Sequence, residues 1–518
     1  MNRVINNSTQ RKAGVVLQYM QMALSIIIQL LFTPIMLRIL GSNEYGIYNL
    51  ASSIIAYLAL LSLGFGASYL RFYSLYKKDD DQEGIKKLNG LYLMVFVLMG
   101  IVVLAAGLVL THNVRIFYNE TYSDRDIQTA KVLMLFLTIN LTISFPASVF
   151  TSYITSQEKF IFQKIVNMGK TIISPSVCII FLFLGYGSIG MVVCTTVISI
   201  TIDFINAFYC LTKLKMRISF KKPQWRLLKD IAFFSIFIAI NQIVDQINWQ
   251  TDKIILGKMI SGTAVAIYAV GANINMMFTN FSTAISSVFA PKVNMIVSKN
   301  KPNMDDELTS LFTRVGRIQW FMLMLILSGF VFFGQYFMLR WAGQEYSDSY
   351  IVSLLLMCPA IIPLIQNIGI EIQRAKNKHQ FRSLVYLFMA ILNVGISILF
   401  TFIWGVIGVA LGTTISLLVA NGLIMNIYYK KKLGINVCVF WKSILETIMG
   451  FAAPIVFGLC IMKYYAFHSL VDFLILIIIY TIIYCISVYF FSLNRDEKRI
   501  LCGIRNKLFR KAQGTNND

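Results

Sequence analysis

Apolar residues run along this chain in blocks of about twenty, the length a helix needs to cross the hydrocarbon core of a bilayer. Short polar stretches separate the blocks. Fourteen helices are predicted, near 14–37, 46–70, 88–110, 130–155, 161–184, 189–211, 231–256, 264–290, 312–338, 351–372, 383–403, 406–429, 443–462 and 470–492. The runs are twice as long as the alternating segments of a membrane barrel, so the predicted fold class is an all-α polytopic membrane protein. Composition agrees: of 518 residues, 57% are hydrophobic and 14% charged, against about 25% charged in soluble domains. Fourteen spans leave no sizeable soluble domain.

The chain carries 46 Lys and Arg against 24 Asp and Glu, a net charge of +22. In a soluble protein such an excess raises the question of nucleic acid. Here it sorts by side. With the N-terminus in the cytoplasm, the inward segments hold 37 of the 46 basic residues and the outward ones 7, with Lys170 and Lys253 inside spans. That alternation is what the positive-inside rule predicts for an even number of spans with both termini cytoplasmic. The basic excess therefore implies contact with membrane lipids and no nucleic-acid partner. The apolar run after Arg11 and Lys12 exceeds a signal-peptide core and lacks a small-residue cleavage site, so it reads as a first span. Most of the eight cysteines lie inside apolar runs, and no disulfide or metal framework is implied.

An internal duplication is legible at an offset of about 216 residues. LRILGSNEYGIYNL (Leu37 to Leu50) follows the first helix, and DKIILGKMISGTAVAIYAV (Asp252 to Val270) follows the seventh, with Gly41 aligned on Gly257. Pro146 and Pro363 repeat the offset within one residue. An even-numbered repeat keeps both copies in one orientation, related by an axis along the membrane normal. The predicted organisation is a six-helix bundle over 1–212, a second over 213–430, two further helices in 431–493 and a basic cytoplasmic tail in 494–518.

Polar groups in hydrocarbon are costly and mark interiors or hydrated paths. On the first helix, Gln18, Ser25 and Gln29 fall on one stripe. On the seventh, Asn241, Asp245, Asn248, Trp249 and Asp252 fall on one face at α-helical spacing. As equivalents in the repeat, the two stripes are expected to line a cleft, the site of an alternating-access carrier. Helix eight adds Asn273 with Asn275 and Asn280, while its Ser and Thr residues read as packing groups. Asp245 and Asp252 are the strongest chemical signal. Arg38 and Lys253 precede Gly41 and Gly257 and would suit a diphosphate, one as a fork and one as a point charge; interfacial anchoring is the plain alternative. Lys170 and Asp203 could pair or act separately. Glu371 and Arg374 read as a pair ending helix ten.

No Walker A, HExxH or GxSxG motif occurs, and His112, His379 and His468 are scattered, so neither a metal site nor a catalytic residue is proposed. The outward loops are short, which argues against a membrane polymerase. The chain reads as a carrier, not an enzyme.

LRILGSNEYGIYNL, SLGFGASYLRFYSLY (Ser62 to Tyr76) and EIQRAKNKHQFRSLVYLFMAILNVGISI (Glu371 to Ile398), taken in order, resemble the Wzx-type oligosaccharide-unit flippases of the multidrug/oligosaccharidyl-lipid/polysaccharide exporter superfamily. The resemblance implies two six-helix bundles around a central cavity in the bacterial cytoplasmic membrane. It implies a polyprenyl-diphosphate-linked oligosaccharide as substrate, and a polysaccharide polymerase or glycosyltransferases as pathway partners. Arg38, Arg71, Lys253 and Lys170 are the candidate headgroup residues. No cofactor is expected beyond a coupling proton or sodium ion, with Asp245 the natural carboxylate. A multidrug exporter, a peptidoglycan-precursor transporter and, further off, a membrane polymerase are the competing readings.

Overall fold

The computed structural model describes residues 7–62, 64–221, 225–299, 301–465 and 467–499. Their regular structure is entirely helical. The helices are α1 (Asn7–Ala56), α2 (Phe65–Lys78), α3 (Gln82–His112), α4 (Asp124–Ser156), α5 (Phe160–Phe183), α6 (Gly187–Thr212), α7 (Trp225–Gln246), α8 (Asp252–Met259) and α9 (Gly262–Lys299). They continue as α10 (Met304–Trp341), α11 (Ser349–Ile365), α12 (Ile368–Ala375), α13 (Gln380–Leu417), α14 (Met425–Leu433), α15 (Val437–Leu445), α16 (Ala452–Tyr464) and α17 (Leu470–Phe491).

Among the described residues, ten helical stretches are long and apolar enough to cross a membrane, or eleven when the bent pair Leu227–Phe233 and Ile238–Met259 is one span. Two of the ten are far longer than one crossing requires. At about 1.5 Å per residue, the 50 residues of α1 would extend well beyond a ~30 Å hydrocarbon core. Gly41 breaks the helix, with φ 72° and ψ 172°. The apolar pattern predicts a polar loop over 38–45; the structure instead keeps this stretch helical and concentrates the turn in one residue that tolerates positive φ.

The same device works in α13 at Gly405, φ 56° and ψ −130°. Its two arms fold back on each other. Asn393 Nδ2 donates to Thr413 Oγ1 at 3.3 Å, and a Cβ on Gly408 would lie 2.1 Å from the Phe400 carbonyl oxygen. The α13 stretch is thus a helical hairpin divided where the apolar pattern divides it, between 403 and 406.

The chain forms two compact units. One comprises the chain up to Ile274 with Trp341–Leu356 and Gln380–Ser416. Its core joins α1 to α4 through buried aromatics: Tyr69 OH donates to Asn89 Oδ1 at 2.6 Å, and Asn89 Nδ2 donates to Arg217 O at 2.9 Å. The other comprises Asn275–Arg340, Met357–His379 and the chain from Leu417. There the last helices pack on α10, with Tyr480 OH on Ser328 Oγ at 2.7 Å and Tyr484 OH on the Phe321 carbonyl at 2.7 Å. Arg317 of α10 ties their ends together. It donates to both oxygens of Glu497 at 2.7 and 2.8 Å and to the carbonyls of Ser443 and Ser492. Glu371 and Arg374 pair at 2.9 Å, as their spacing predicts.

Candidate functional site

The stretch from α7 to α8 carries both span carboxylates, and it is not one continuous α-helix. Residues Ile247–Thr251 wind as a π turn, which takes in more residues per turn than an α-helix and rotates everything beyond it. The single face expected for Asn241, Asp245, Asn248, Trp249 and Asp252 is therefore split. Asn241, Asp245 and Trp249 are exposed, Asn248 in the π turn is half-buried, and Asp252, the first residue of α8, is only 1% exposed.

The π turn is braced by the second arm of α1. Ser53 Oγ donates to Gln250 Oε1 at 2.9 Å, Tyr57 and Thr251 share a hydrogen bond between hydroxyls, and Gln246 Nε2 donates to Ala56 O at 3.2 Å. Ser53 and the Ala56 carbonyl of α1, with Tyr57 just after it, thus hold the widened winding in place, consistent with π turns being sites of function.

Asp252 is the centre of a buried polar hub. Its Oδ2 accepts from Tyr268 OH of α9 and, at 2.9 Å, from Thr413 Oγ1 of α13. Thr413 accepts from Asn393, whose Oδ1 accepts from Ser397 Oγ at 3.2 Å. A buried charge survives only when paired or hydrogen-bonded, and here Lys253 adds its field to the two hydroxyl donors. Three helices therefore converge on one carboxylate. Oxygen atoms dominate the hub, the donor chemistry that suits a proton or a hard monovalent cation.

Asp245, on the other side of the π turn, has a different neighbourhood. Arg382 of α13 acts on its carboxylate and lies over the Tyr386 ring at 4.7 Å, and Ser383 Oγ donates to Asn241 Oδ1 at 3.0 Å. Asn241, Asp245, Arg382 and Ser383 so form a second, more accessible polar group.

The remaining candidates are scattered. Gln18 is exposed and accepts from Lys164 of α5; Ser25 is exposed and Gln29 half-buried. Arg38 and Arg71 are exposed, and Lys253 is half-buried. Lys170 is half-buried and acts on Asp203. Asn273 donates to Tyr45 OH at 3.2 Å. Sequence reasoning missed Tyr268, Thr413 and Arg382. Tyr268 stands in the repeat motif only as part of an Ile-Tyr match, Thr413 is one of many threonines, and Arg382 counts there as one more inward-facing base.

The family model for polysaccharide biosynthesis protein matches residues 12–297, more than half of the chain. The chain belongs to the polysaccharide biosynthesis protein family. Another protein similar to it is the uncharacterized membrane protein EpsK of Bacillus subtilis (strain 168), 22% identical, with 95% of this chain and 97% of that protein covered. Among solved structures, the lipid II flippase MurJ in an inward closed conformation aligns with a TM-score of 0.68 at 17% identity, over 92% of this chain and 98% of that one. An inward-facing multidrug resistance MATE family transporter of the MOP superfamily aligns with a TM-score of 0.63 at 14% identity, over 81% and 96%. This member of the polysaccharide biosynthesis family thus has the fold of those transporters, in a multi-pass membrane chain. The fold likeness covers 92% of this chain, more than the stretch the family model matches.

Proposed function

We propose that the chain moves a polyprenyl-diphosphate-linked oligosaccharide unit from the cytoplasmic to the outer leaflet of the bacterial cytoplasmic membrane, for cell-surface polysaccharide synthesis. The observation that carries the reading is the Asp252 hub. A carboxylate inside hydrocarbon is retained where an ion or substrate pathway needs it, and this one is held by three helices of a transporter fold in a polysaccharide biosynthesis chain.

In this reading Asp252, Tyr268, Thr413 and Asn393 are the coupling site. Binding of a proton or sodium ion there removes the net charge and loosens the pull of Asp252 on α9 and α13. The more accessible group of Asp245, Arg382 and Asn241, with Arg38, Arg71, Lys170 and Lys253, meets the diphosphate and sugars during alternating access. Both termini are cytoplasmic and fourteen helices cross the membrane: α1 and α13 count twice through their glycine breaks, α7 with α8 forms one bent span, and α9, with its asparagines, forms another. Residues 1–212 and 213–430 act as the two bundles, 431–493 as an appended pair and 494–518 as a basic tail. Glycosyltransferases and a polysaccharide polymerase supply and consume the substrate.

The test is delivery of lipid-linked sugar to the outer leaflet in cells. Replacing Arg38 and Lys253 together by alanine should abolish it, and unchanged delivery would remove the headgroup assignment. The likeness to the lipid II flippase fold supports a second reading, a peptidoglycan-precursor substrate. It would be favoured if the chain complements loss of lipid II export but not loss of oligosaccharide-unit export.

A further inference from the structure

The connection that leaves α6 is pinned along the start of α3. α6 closes in a tight turn: Leu214 N donates to Tyr209 O at 3.1 Å and Met216 N to Cys210 O at 2.9 Å, with Lys215 between them at φ 51°. Beyond the turn the chain runs beside α3. Asn89 Nδ2 donates to Arg217 O at 2.9 Å, and Ser219 N donates to Lys86 O at 3.0 Å. The approach is so close that a Cβ on Gly90 would lie 2.0 Å from the Ser219 carbonyl oxygen. Residues 213–221 are therefore a strap held on α3, not a free loop.

The two sides of the strap differ. Met216 is buried in the core, and Leu214 and Ile218 pack against it. Lys213, Lys215, Arg217 and Lys221 are exposed, and the strap contains no acidic residue. None of these four bases has an ion pair among the described residues. The acids at the start of α3 are engaged there: Glu83 pairs with Lys86 and Lys87, and Asp81 accepts from Gly84 N at 2.7 Å.

Two further observations say what this basic side meets. Positive φ just past a helix end favours glycine, and a residue with a Cβ is strained there. The turn itself thus does not ask for a lysine at 215. The second observation is level. Phe204, Phe208 and Leu211 form an exposed apolar stripe on α6 that ends at Lys213. In a membrane chain such a stripe faces hydrocarbon, so bases that begin where it stops lie among lipid headgroups. Phe220, exposed between Arg217 and Lys221, adds an apolar contact at the same level.

We propose that this strap binds the phosphate of an anionic phospholipid. Lys215 and Arg217 flank the buried Met216 and are at most roughly 7 Å apart along the chain, close enough to share one phosphodiester, the arginine as a fork and the lysine as a point charge. The exposed run Lys430–Lys432 on α14 is a different arrangement, because neighbours on a helix point roughly 100° apart.

The experiment is photocrosslinking of the full chain in phosphatidylcholine nanodiscs that contain photoactivatable phosphatidylglycerol, with attachment sites read by peptide mass spectrometry. Crosslinks over 204–221 should exceed those around Lys430–Lys432. They should fall roughly fivefold in Arg217→Gln and in Lys215→Gly, the effect of one cation at headgroup level. Lys215→Gly should leave the melting temperature no lower, because glycine fits the turn, so lost crosslinking there is not unfolding. Equal labelling by photoactivatable phosphatidylcholine, yields unchanged in both variants, or losses seen only with lowered melting temperatures each overturn the proposal. So does displacement of the lipid by inorganic diphosphate, which would assign the strap to a soluble phosphate. The inference needs only a membrane chain, so its failure leaves the transport reading standing.

Discussion

Gly46 and Gly262 meet backbone to backbone: a Cβ on Gly46 would fall 1.8 Å from the Gly262 carbonyl oxygen. They stand 216 residues apart, the offset that also relates Gly41 to Gly257, so equivalent positions of the duplicated motif touch each other. That is the arrangement expected where a two-fold pseudo-axis passes between copies. A methyl group at Gly46 would press on backbone, which cannot rotate away. Gly46→Ala should therefore destabilise by about 1–3 kcal/mol or more, read as a lower melting temperature of the purified protein. Gly169→Ala, where a Cβ meets nothing within 4 Å, should leave the melting temperature unchanged.

Asp252 and Tyr268 should separate transport from stability. Asp252→Asn keeps the shape of the hub and removes its charge, so folding should be preserved while delivery falls on the order of tenfold or more. Tyr268→Phe deletes one donor to the carboxylate and should lower delivery less. Measuring delivery after collapse of the proton or the sodium gradient identifies the ion. Full delivery by Asp252→Asn with both gradients dissipated would end the coupling assignment.

Asp245 and Arg382 are expected to act as a unit. Asp245→Asn and Arg382→Gln should each reduce delivery, and the double variant should be no worse than the poorer single one, as for residues that share one interaction. Additive losses, measured as a double-mutant cycle on delivery rate, would show that the two side chains work separately.

Arg317 is expected to act on stability. Its guanidinium and the Glu497 carboxylate have side chains only 5% and 11% exposed, so removing one leaves a buried charge without its partner. Arg317→Ala should cost about 3–5 kcal/mol, seen as a large drop in melting temperature. Glu497→Gln, which keeps an acceptor, should cost less.

Much of this protein was legible from local pattern. The apolar blocks announced an all-helical membrane chain, and the divisions at Gly41, beside the polar stretch Ser42–Glu44, and at Gly405, inside an apolar run too long for one crossing, fall between predicted spans, because hydrocarbon limits the length of any single span. Glu371 and Arg374, three residues apart, could be paired from helical geometry alone. The Asp252 hub could not. Its donors, Tyr268 and Thr413, lie 16 and 161 residues away, and the π turn that rotates Asp252 away from Asp245 has no spacing that distinguishes it from an α-helix.

The sequence by itself determined the solvent: that most of the chain must leave water and which segments are apolar enough to do so, since these depend only on local composition. Only the tertiary structure decided which polar groups meet. Whether a carboxylate in the membrane is a buried hub or an accessible contact depends on helix winding and on partners brought from distant segments, and no local pattern encodes either.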